Sequence, residues 1–478
     1  MRRQKGQGAG RVARVVGFAG LAVFLAGCGA IVIRDLGPED EAPSDGCGEG
    51  STRDEGCEVP EAARALDVTP GYAHTCALLV DGAVKCWGEG SAGQLGLGDA
   101  VPRGDDPGEM GDDLPAVSLG TGETVEALAA GSFHHCALLR GGRVKCWGGN
   151  ASGSLGLGDG EGRGLDVGSM GENLPTVDLG TGVTAVALVA GGETNCALLP
   201  DRTLKCWGDN GYGQLGLGDV TPRGNLPGTM GDDLPAVDLG VDGAGTAVFM
   251  GAAHVCALLT RGAVKCWGAN GHGQLGLGDA DHRGDAPGEM GDALPDVDLG
   301  AGNLVAALAL GRMHSCALLK DGSVKCWGDN ERGQLGLGDT ELRGDAPGEM
   351  GDALPRVDLG SGKRAVAITA GDLHTCALLD DGSLKCWGDS YWGQLGLGDR
   401  EARGDEPGEM GDALPGVNLG TGEAAVLVRA GSHHTCVRLS GGHIKCWGYN
   451  DGRLGLGDIA DRGMTPETMG DGLPIVAL

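Results

Sequence analysis

The chain has very few aromatic residues and no long stretch with the 3.6-residue periodicity of an amphipathic helix. Phe, Trp and Tyr make up 3% of its 478 residues, whereas glycine occurs 97 times. This composition excludes a conventional core of large side chains, and short strands joined by glycine turns suit it better. We therefore expect a fold that is nearly all β.

Basic residues are also scarce. Lys and Arg number 36 against 66 Asp and Glu, which gives a formal net charge of -30. Such a chain repels nucleic acid phosphates and has no basic stripe to bind them, so we expect no nucleic acid partner. The acidity is typical of a solvated surface, and a cation site or a basic partner is the alternative.

Motifs that carry catalysis are missing as well. The sequence contains no nucleophile elbow, no phosphate-binding P-loop and no HExxH segment. Nearly every polar residue recurs from copy to copy, whereas an active site needs a few unlike groups at one point. We predict a protein that is not an enzyme and binds no cofactor or metal. An extracellular enzyme or a calcium-dependent scaffold is the alternative, since the GLGD and GEMGD segments supply oxygen ligands.

What the sequence does have is one phrase that occurs seven times. CALLVDGAVKCW begins at Cys76, and its variants follow at intervals of 60 residues. A fixed period indicates stacked or ring-arranged copies of one unit. In the second copy we assign four short strands, at residues 124–131, 135–139, 143–148 and 174–180. Four strands in each of seven units predict an all-β, seven-bladed β-propeller with about 60 residues per blade.

The two cysteines of each copy have the spacing C-x9-C. If Val80 to Gly82 form a three-residue hairpin loop, Cys76 stands opposite Cys86 at a distance that a disulfide accepts. A zinc site would need closer clusters such as C-x2-C. In the third copy Arg202 replaces the expected glycine, so we expect a strained or different turn there. The sequence predicts these disulfides: Cys76 with Cys86, Cys136 with Cys146, Cys196 with Cys206, Cys256 with Cys266, Cys316 with Cys326, Cys376 with Cys386, and Cys436 with Cys446.

The beginning of the chain resembles the signal of a bacterial lipoprotein. Residues 1–27 combine a basic start with an apolar run too short to span a bilayer, and LAGC ends at Cys28. The resemblance implies a lipid on the Cys28 thiol and, because Gly29 follows, anchoring at the outer membrane or cell surface. Residues 28–64 are an acidic flexible tether in which Cys47 and Cys57 can pair. Residues 65–478 are the propeller, which meets the membrane only through the lipid.

The full repeat is GxxHxCALLxDGxVKCWGxNxxGQLGLGD. It resembles the repeat of the regulator of chromosome condensation family, and the paired cysteines with the RGDxPGEMGD loop look like its exported bacterial branch. The resemblance implies a seven-bladed propeller. Functions in the family include guanine nucleotide exchange, chromatin docking, light sensing and inhibition of a β-lactamase, and the fold does not choose among them. Nucleotide exchange is an alternative by resemblance alone, because an exported lipoprotein does not meet a cytosolic GTPase.

Several polar positions recur in the repeat. A histidine opens the second strand in six copies, with Thr194 in the third, and we favour a buried hydrogen bond over a ring of metal ligands. An Asp is followed four residues later by an Arg, which predicts an ion pair that fixes the loop. RGD occurs only in some copies and is better explained as drift of the repeat than as an adhesion motif. The repeated tryptophan is expected in the core, with the lysine two residues earlier pointing outward.

The copies differ most in the loop after the tryptophan. Tyr, Trp and Arg dominate the energetics of protein interfaces, and several copies carry them there. We therefore predict that a monomeric propeller binds a protein or glycan partner, and unconstrained drift of the loop sequence is the alternative. The predicted partner-binding residues are Tyr212, His272, Arg332, Tyr391 and Trp392.

Overall fold

The computed structural model describes residues 64–478, which form a ring of seven antiparallel sheets. The fold is the predicted seven-bladed β-propeller, and each sheet holds three strands that are consecutive in the chain. The predicted signal peptide, the predicted lipid site at Cys28 and the predicted pairing of Cys47 with Cys57 lie outside the described residues. The strands are β1 Ala65–Pro70, β2 His74–Leu79, β3 Val84–Gly88, β4 Val125–Ala130, β5 His134–Leu139, β6 Arg143–Gly148, β7 Ala187–Gly191, β8 Thr194–Leu198, β9 Leu204–Gly208, β10 Gly245–Met250, β11 His254–Leu259, β12 Val264–Gly268, β13 Val305–Leu310, β14 His314–Leu319, β15 Val324–Gly328, β16 Ala365–Ala370, β17 His374–Leu379, β18 Leu384–Gly388, β19 Ala425–Ala430, β20 His434–Leu439 and β21 Ile444–Gly448.

Helical structure in the described chain consists of single 3-10 turns in the long loops between sheets. Within residues 64–478 no helix has the length and apolar character needed to cross a membrane. The turns are Gly111–Asp113, Val167–Ser169, Gly171–Asn173, Gly231–Asp233, Gly291–Ala293, Gly351–Ala353, Gly411–Ala413, Pro466–Thr468 and Gly470–Gly472.

The turn between the second and third strands of each sheet sets the cysteine register. In the first sheet Leu79 N donates to Ala83 O at 2.9 Å, and Gly82 has a φ of 87°. Cys76 consequently faces Cys86, with Cα atoms 4.1 Å apart and the two sulfur atoms bonded. The same opposition and bond occur in all seven sheets, so a disulfide braces each blade.

The third blade keeps this turn although it lacks the glycine. Arg202 N donates to Leu199 O at 2.9 Å, and Arg202 has a φ of 71°. It is the one residue other than glycine with positive φ in the part of the chain that the structure describes. The turn is therefore strained rather than different in type, since a side chain with a Cβ disfavours this region.

The fourth predicted strand of each blade is not formed. In the second blade Val177 N donates to Val144 O at 2.8 Å, but residues 174–180 are outside the sheet. Pro175 lies two residues before this contact, and proline has no N–H to donate to a strand ladder. Each blade therefore has three strands and an extended outer segment. The equivalent prolines are Pro115, Pro175, Pro235, Pro295, Pro355, Pro415 and Pro474.

Tryptophan fills every boundary between blades. Trp147 of the second blade is fully buried, and its Nε1 donates to Gln94 O of the first blade at 3.0 Å. Its indole covers Gly96, where an added Cβ would lie 2.9 Å from the ring. A glycine is required at this position because the approach is so close. The seven tryptophans are Trp87, Trp147, Trp207, Trp267, Trp327, Trp387 and Trp447.

The ring closes by packing the first sheet against the last. Ala65 N donates to Gly442 O at 3.0 Å, and the buried side chains of Asp67 and Arg429 form an ion pair at 3.4 Å. Val476 N donates to Ile444 O within the seventh blade. The last outer segment therefore stays with its own blade, and closure does not exchange strands.

The lysine before each tryptophan points inward, contrary to the sequence expectation. Lys325 Nζ donates to Leu299 O at 3.0 Å and to Gly351 O at 2.7 Å. Burial lowers the pKa of Lys325, and the two carbonyl oxygens compensate the desolvated charge. The ammonium group thereby ties two loops to the third strand of its blade.

Candidate functional site

The loops that vary among the copies share one face of the ring. In an antiparallel sheet the first connection, residues 71–73 in the first blade, lies at the same end as the loop that leaves the third strand. Ser154 Oγ of such a loop donates to Glu193 O of the next blade's first connection at 2.8 Å. We call this end the loop face. The opposite end, with turns such as 80–82, is the turn face.

Four of the five predicted partner-binding residues occupy one position in consecutive blades. Each backbone N–H donates to the side chain of the glutamine two residues later, at 2.8 or 2.9 Å, so the four loops have the same geometry. In the described chain no aromatic or cation–π contact links His272 or Arg332 to a neighbour, and Tyr212 packs on His282 with ring centroids 5.3 Å apart. The four residues are Tyr212, His272, Arg332 and Trp392.

Trp392 and Tyr391 belong to an aromatic cluster between the sixth and seventh blades. The ring centroid of Trp392 lies 4.8 Å from that of Tyr391 and 4.6 Å from that of Tyr449. Arg453 lies over the Tyr449 ring at 4.7 Å. We call Tyr391, Trp392 and Tyr449 the seam cluster. Sequence reasoning missed Tyr449 because it precedes the two loop positions at which the predicted residues occur, although it is the one tyrosine at its position in the repeat.

A second aromatic cluster lies beside the ring axis. The ring centroid of Tyr72 is 5.7 Å from that of Phe133 and 6.4 Å from that of His433. We call Tyr72, Phe133 and His433 the mouth cluster; they come from the first, second and seventh blades. Arg453 connects the two clusters, since its Nη1 donates to Tyr72 O at 2.7 Å while its guanidinium covers Tyr449.

Every Phe, Tyr and Trp of residues 64–478 that is not buried lies on the loop face. Phe249 and the seven repeat tryptophans are the buried ones. Residues 64–478 therefore carry all of their accessible aromatic side chains at one end of the ring, which favours an interaction surface over drift. Those that touch one another run across blades six, seven, one and two. The accessible aromatics are Tyr72, Phe133, Tyr212, Tyr391, Trp392 and Tyr449.

The mouth cluster borders a cavity on the ring axis. Its volume is about 70 Å³, and Tyr72, Ser132, Arg312 and Asp372 are among the residues that line it. Burial raises the pKa of Asp372, against the lowering effects of His433 and Arg312. The cavity is also lined by one glycine from each blade. These are Gly71, Gly131, Gly191, Gly251, Gly311, Gly371 and Gly431.

The recurrent histidines are buried between blades. His314 Nε2 lies 2.9 Å from Thr375 Oγ1 of the next blade, and Thr375 Oγ1 donates to Gln334 O at 2.9 Å. Burial lowers the pKa of His314 to about 3, so this imidazole is neutral. Within residues 64–478 no group of three or more His, Cys, Asp or Glu is placed to hold a metal ion. The interblade pairs are His74 with His135, His134 with Asn195, His254 with Ser315, His314 with Thr375, His374 with Thr435, and His434 with Thr75.

The boundary between the third and fourth blades lacks both members of this pair. Thr194 replaces the histidine, and Val255 of the fourth blade replaces its partner. Met250 fills the space, since a Cβ on Gly191 would lie 2.8 Å from Met250 Cγ, where the equivalent glycine of most other blades faces the histidine ring. The sequence carries a signal for this pairing, because the histidine and its partner are both replaced at the same boundary between blades.

We expect Thr375→Val to lower the free energy of unfolding by about 1–3 kcal/mol, because it leaves His314 Nε2 without its partner in a buried position. Thr375→Ser is the matched control, since it keeps the hydroxyl and should be less destabilising. Urea denaturation at pH 7.5 measures both. Equal free energies of unfolding for the valine and serine variants would contradict the role of the pair.

An Asp–Arg ion pair is present in the long loop of all seven copies. Arg103 Nη2 lies 2.8 Å from Asp99 Oδ2, and Arg103 Nη1 also donates to Val101 O at 2.8 Å. The arginine of each RGD segment is therefore engaged within its own loop. The equivalent pairs are Arg163 with Asp159, Arg223 with Asp219, Arg283 with Asp279, Arg343 with Asp339, Arg403 with Asp399, and Arg462 with Asp458.

These features together define a closed seven-bladed propeller that presents variable loops on one face. The family model described as Regulator of chromosome condensation (RCC1) repeat matches once in every blade, at residues 67–94, 125–154, 185–214, 246–274, 305–334, 365–394 and 425–452. A second RCC1 repeat model matches residues 321–378. The chain is therefore built of seven repeats of the RCC1 family.

Curated proteins with similar sequences include receptors and enzymes of eukaryotes. The chain is 28% identical over 413 residues to the ultraviolet-B receptor UVR8 of Arabidopsis thaliana, covering 84% of this chain and 80% of the receptor. It is 31% identical over 321 residues to the E3 ubiquitin-protein ligase HERC2 of Homo sapiens, covering 66% of this chain but 6% of the ligase. Such relatives suggest a binding or regulatory module.

Solved structures show the same fold. Yeast RCC1 (Prp20), in a crystal structure with Kap60, matches with a TM-score of 0.60 at 19% sequence identity, over 92% of this chain and 91% of that one. Prp20p from Saccharomyces cerevisiae, described together with its binding to Gsp1p and histones, matches with a TM-score of 0.59 at 20% identity, over 87% and 88%. At this level of identity the likeness is one of fold.

Proposed function

We propose that this protein is an exported, lipid-anchored propeller whose loop face binds a protein or glycan partner without catalysing a reaction. The observation that carries the proposal is the placement of all accessible Phe, Tyr and Trp of residues 64–478 on that face. Export is supported by the seven disulfides of the propeller, because disulfides persist in oxidising compartments. The lipid anchor rests on the LAGC sequence that ends at Cys28.

The aromatic part of the loop face is held rigidly. Arg453 is 3% exposed, donates from Nε and Nη2 to Asp451 at 2.7 and 2.6 Å, and also donates to Tyr72 O. Its guanidinium thus fixes the seam cluster relative to the mouth cluster. A surface ordered in advance loses little conformational entropy on binding, and Tyr and Trp bury large areas with few rotatable bonds. Both properties suit a binding face.

We expect the double variant Trp392→Ala with Tyr449→Ala to capture its partner at least about tenfold more weakly than the unmodified protein, because aromatic anchors dominate interface energetics. The measurement immobilises the protein and quantifies what it retains from the envelope and secreted fractions of the producing organism. The matched control is Val241→Ala with Leu304→Ala, which removes two exposed apolar side chains of the turn face. Equal capture by both double variants would remove the loop face as the binding surface.

A further inference from the structure

One position of the repeat varies in almost every copy although all seven copies of it converge on the ring axis. It is the residue that follows the axial glycine in each of the seven blades, and it lines the axial cavity. In a repeat protein, unlike side chains at one equivalent position build an asymmetric site on the symmetry axis. The residues at this position are Tyr72, Ser132, Gly192, Ala252, Arg312, Asp372 and Ser432.

Three of these side chains have hydrogen-bonding capacity that the described chain leaves unused. No hydrogen bond within residues 64–478 engages the Arg312 guanidinium, the Asp372 carboxylate or the Ser132 hydroxyl, whereas Ser432 Oγ donates to Tyr72 O at 2.7 Å. Arg312 only donates, Asp372 when ionised only accepts, and Ser132 does both. Hydrogen-bond donors and acceptors thus border a single cavity of about 70 Å³.

We infer that this axial mouth binds the end of an uncharged glycan. The inference rests on the proposed function and names the class of ligand for the centre of the same face. Sugar hydroxyls both donate and accept hydrogen bonds, which matches Arg312, Asp372 and Ser132. The exposed rings of Tyr72 and Phe133 stand beside these polar groups and supply flat apolar surface for the C–H face of a sugar ring.

Charge favours an uncharged ligand over the alternatives. Arg312 brings a positive charge and Asp372 an acidic group to the same mouth, so the site is not built for ligands of one sign of charge. A net charge of -30 also repels polyanions. The cavity, about 70 Å³, is too small for a folded domain and admits only the end of a chain, such as a terminal sugar.

Affinity electrophoresis tests the inference with the full-length protein in native gels. The gels contain dextran, xylan or laminarin as neutral polysaccharides, or alginate as an anionic one. We expect at least one neutral polysaccharide to retard the protein. Asp372→Ala and Tyr72→Ala should each weaken that retardation at least about tenfold, since each removes one half of the site. Val241→Ala on the turn face is the control and should be retarded like the unmodified protein.

Three results would overturn the inference: no retardation by any of the neutral polysaccharides, retardation that Asp372→Ala and Tyr72→Ala leave unchanged, or stronger retardation by alginate. Arg312→Ala provides an independent variant, and the melting temperature of each variant shows that it is folded. If the neutral polysaccharides fail while Trp392→Ala with Tyr449→Ala still abolishes partner capture, the glycan inference falls and the proposed function stands. If that double variant also leaves capture unchanged, both fall.

Discussion

Replacing Gly311 by alanine is expected to lower the free energy of unfolding by about 3 kcal/mol, the upper end of the usual cost of overpacking, because the side chain has no space on the ring axis. An added Cβ would lie 2.2 Å from His314 Cε1 and 2.4 Å from Gly371 O. The imidazole is held by Thr375, and the carbonyl belongs to the backbone of the next blade. Urea denaturation and the elution volume in gel filtration measure stability and compactness.

Gly271→Ala is the matched control for this substitution. No atom lies within 4 Å of a Cβ built at Gly271, which is in an exposed loop and has no positive φ. We expect its free energy of unfolding to stay within about 1 kcal/mol of that of the unmodified protein. Equal stability of the two alanine variants would contradict close packing at the axis.

The axial glycines explain how a ring with few large side chains closes tightly. A Cβ on Gly251 would meet Gly311 O at 2.4 Å, and one on Gly431 would meet Gly71 O at 2.9 Å, so the backbones of adjacent blades touch around the axis. Backbone contact at the centre and tryptophan at each outer boundary replace the layered aromatic core that the composition rules out. The fold therefore depends on glycine at the axis as much as on the seven indoles.

The features that sequence reasoning predicted depend on local spacing. The count of blades follows from the period, and the opposition of Cys76 and Cys86 follows from the turn at Gly82, which the chain encodes within a dozen residues. The prediction of a fourth, outer strand was wrong. The segment has the apolar pattern of a strand, but Pro175 removes a backbone N–H that a strand ladder needs. The inward lysine was missed because its partners, Leu299 O and Gly351 O for Lys325, are backbone atoms and leave no trace in composition.

The aromatic clusters depend on closure of the ring, which no local pattern describes. Tyr72 and His433 are in contact only because the first and seventh blades meet. The local sequence around Tyr72, Phe133 and His433 therefore gives no reason to group these residues. The predicted patch followed the order of the copies along the chain, whereas contacts between aromatic side chains follow the order of the blades around the propeller.

The buried histidines predict a strong loss of stability in mild acid. Burial lowers the pKa of His74, His254, His314 and His374 from 6.5 to about 3, so these imidazoles stay neutral in the folded ring at pH 5. In the unfolded chain they take up protons as the pH falls below about 6.5. The contribution of these histidines to the free energy of unfolding is therefore fully present above pH 6.5 and is lost as the pH falls toward 3. Each histidine removes about 2 kcal/mol by pH 5, or about 8 kcal/mol for the four.

Carboxyl groups change this profile only in part. Burial raises the pKa of Asp372 and Asp461, so their proton uptake in the folded state works in the opposite direction and offsets some of the loss. Some carboxyl groups have a lowered pKa, such as Asp321 at about 2. Their contribution to the free energy of unfolding is lost only below pH 5, because their pKa in the unfolded chain is near 4. Between pH 7 and pH 5 the histidines therefore set the slope.

Urea denaturation at pH 8, 7, 6 and 5 measures this slope, and His254→Gln isolates the contribution of one imidazole. The variant should lose about 2 kcal/mol less than the unmodified protein between pH 8 and pH 5, because one fewer proton is taken up on unfolding. Val241→Ala, on the turn face, removes no titratable group and should keep the slope of the unmodified protein. A free energy of unfolding that stays constant or rises toward pH 5 would mean that the interblade imidazoles are not held neutral, and the account of how one blade hydrogen-bonds the next would fail with it.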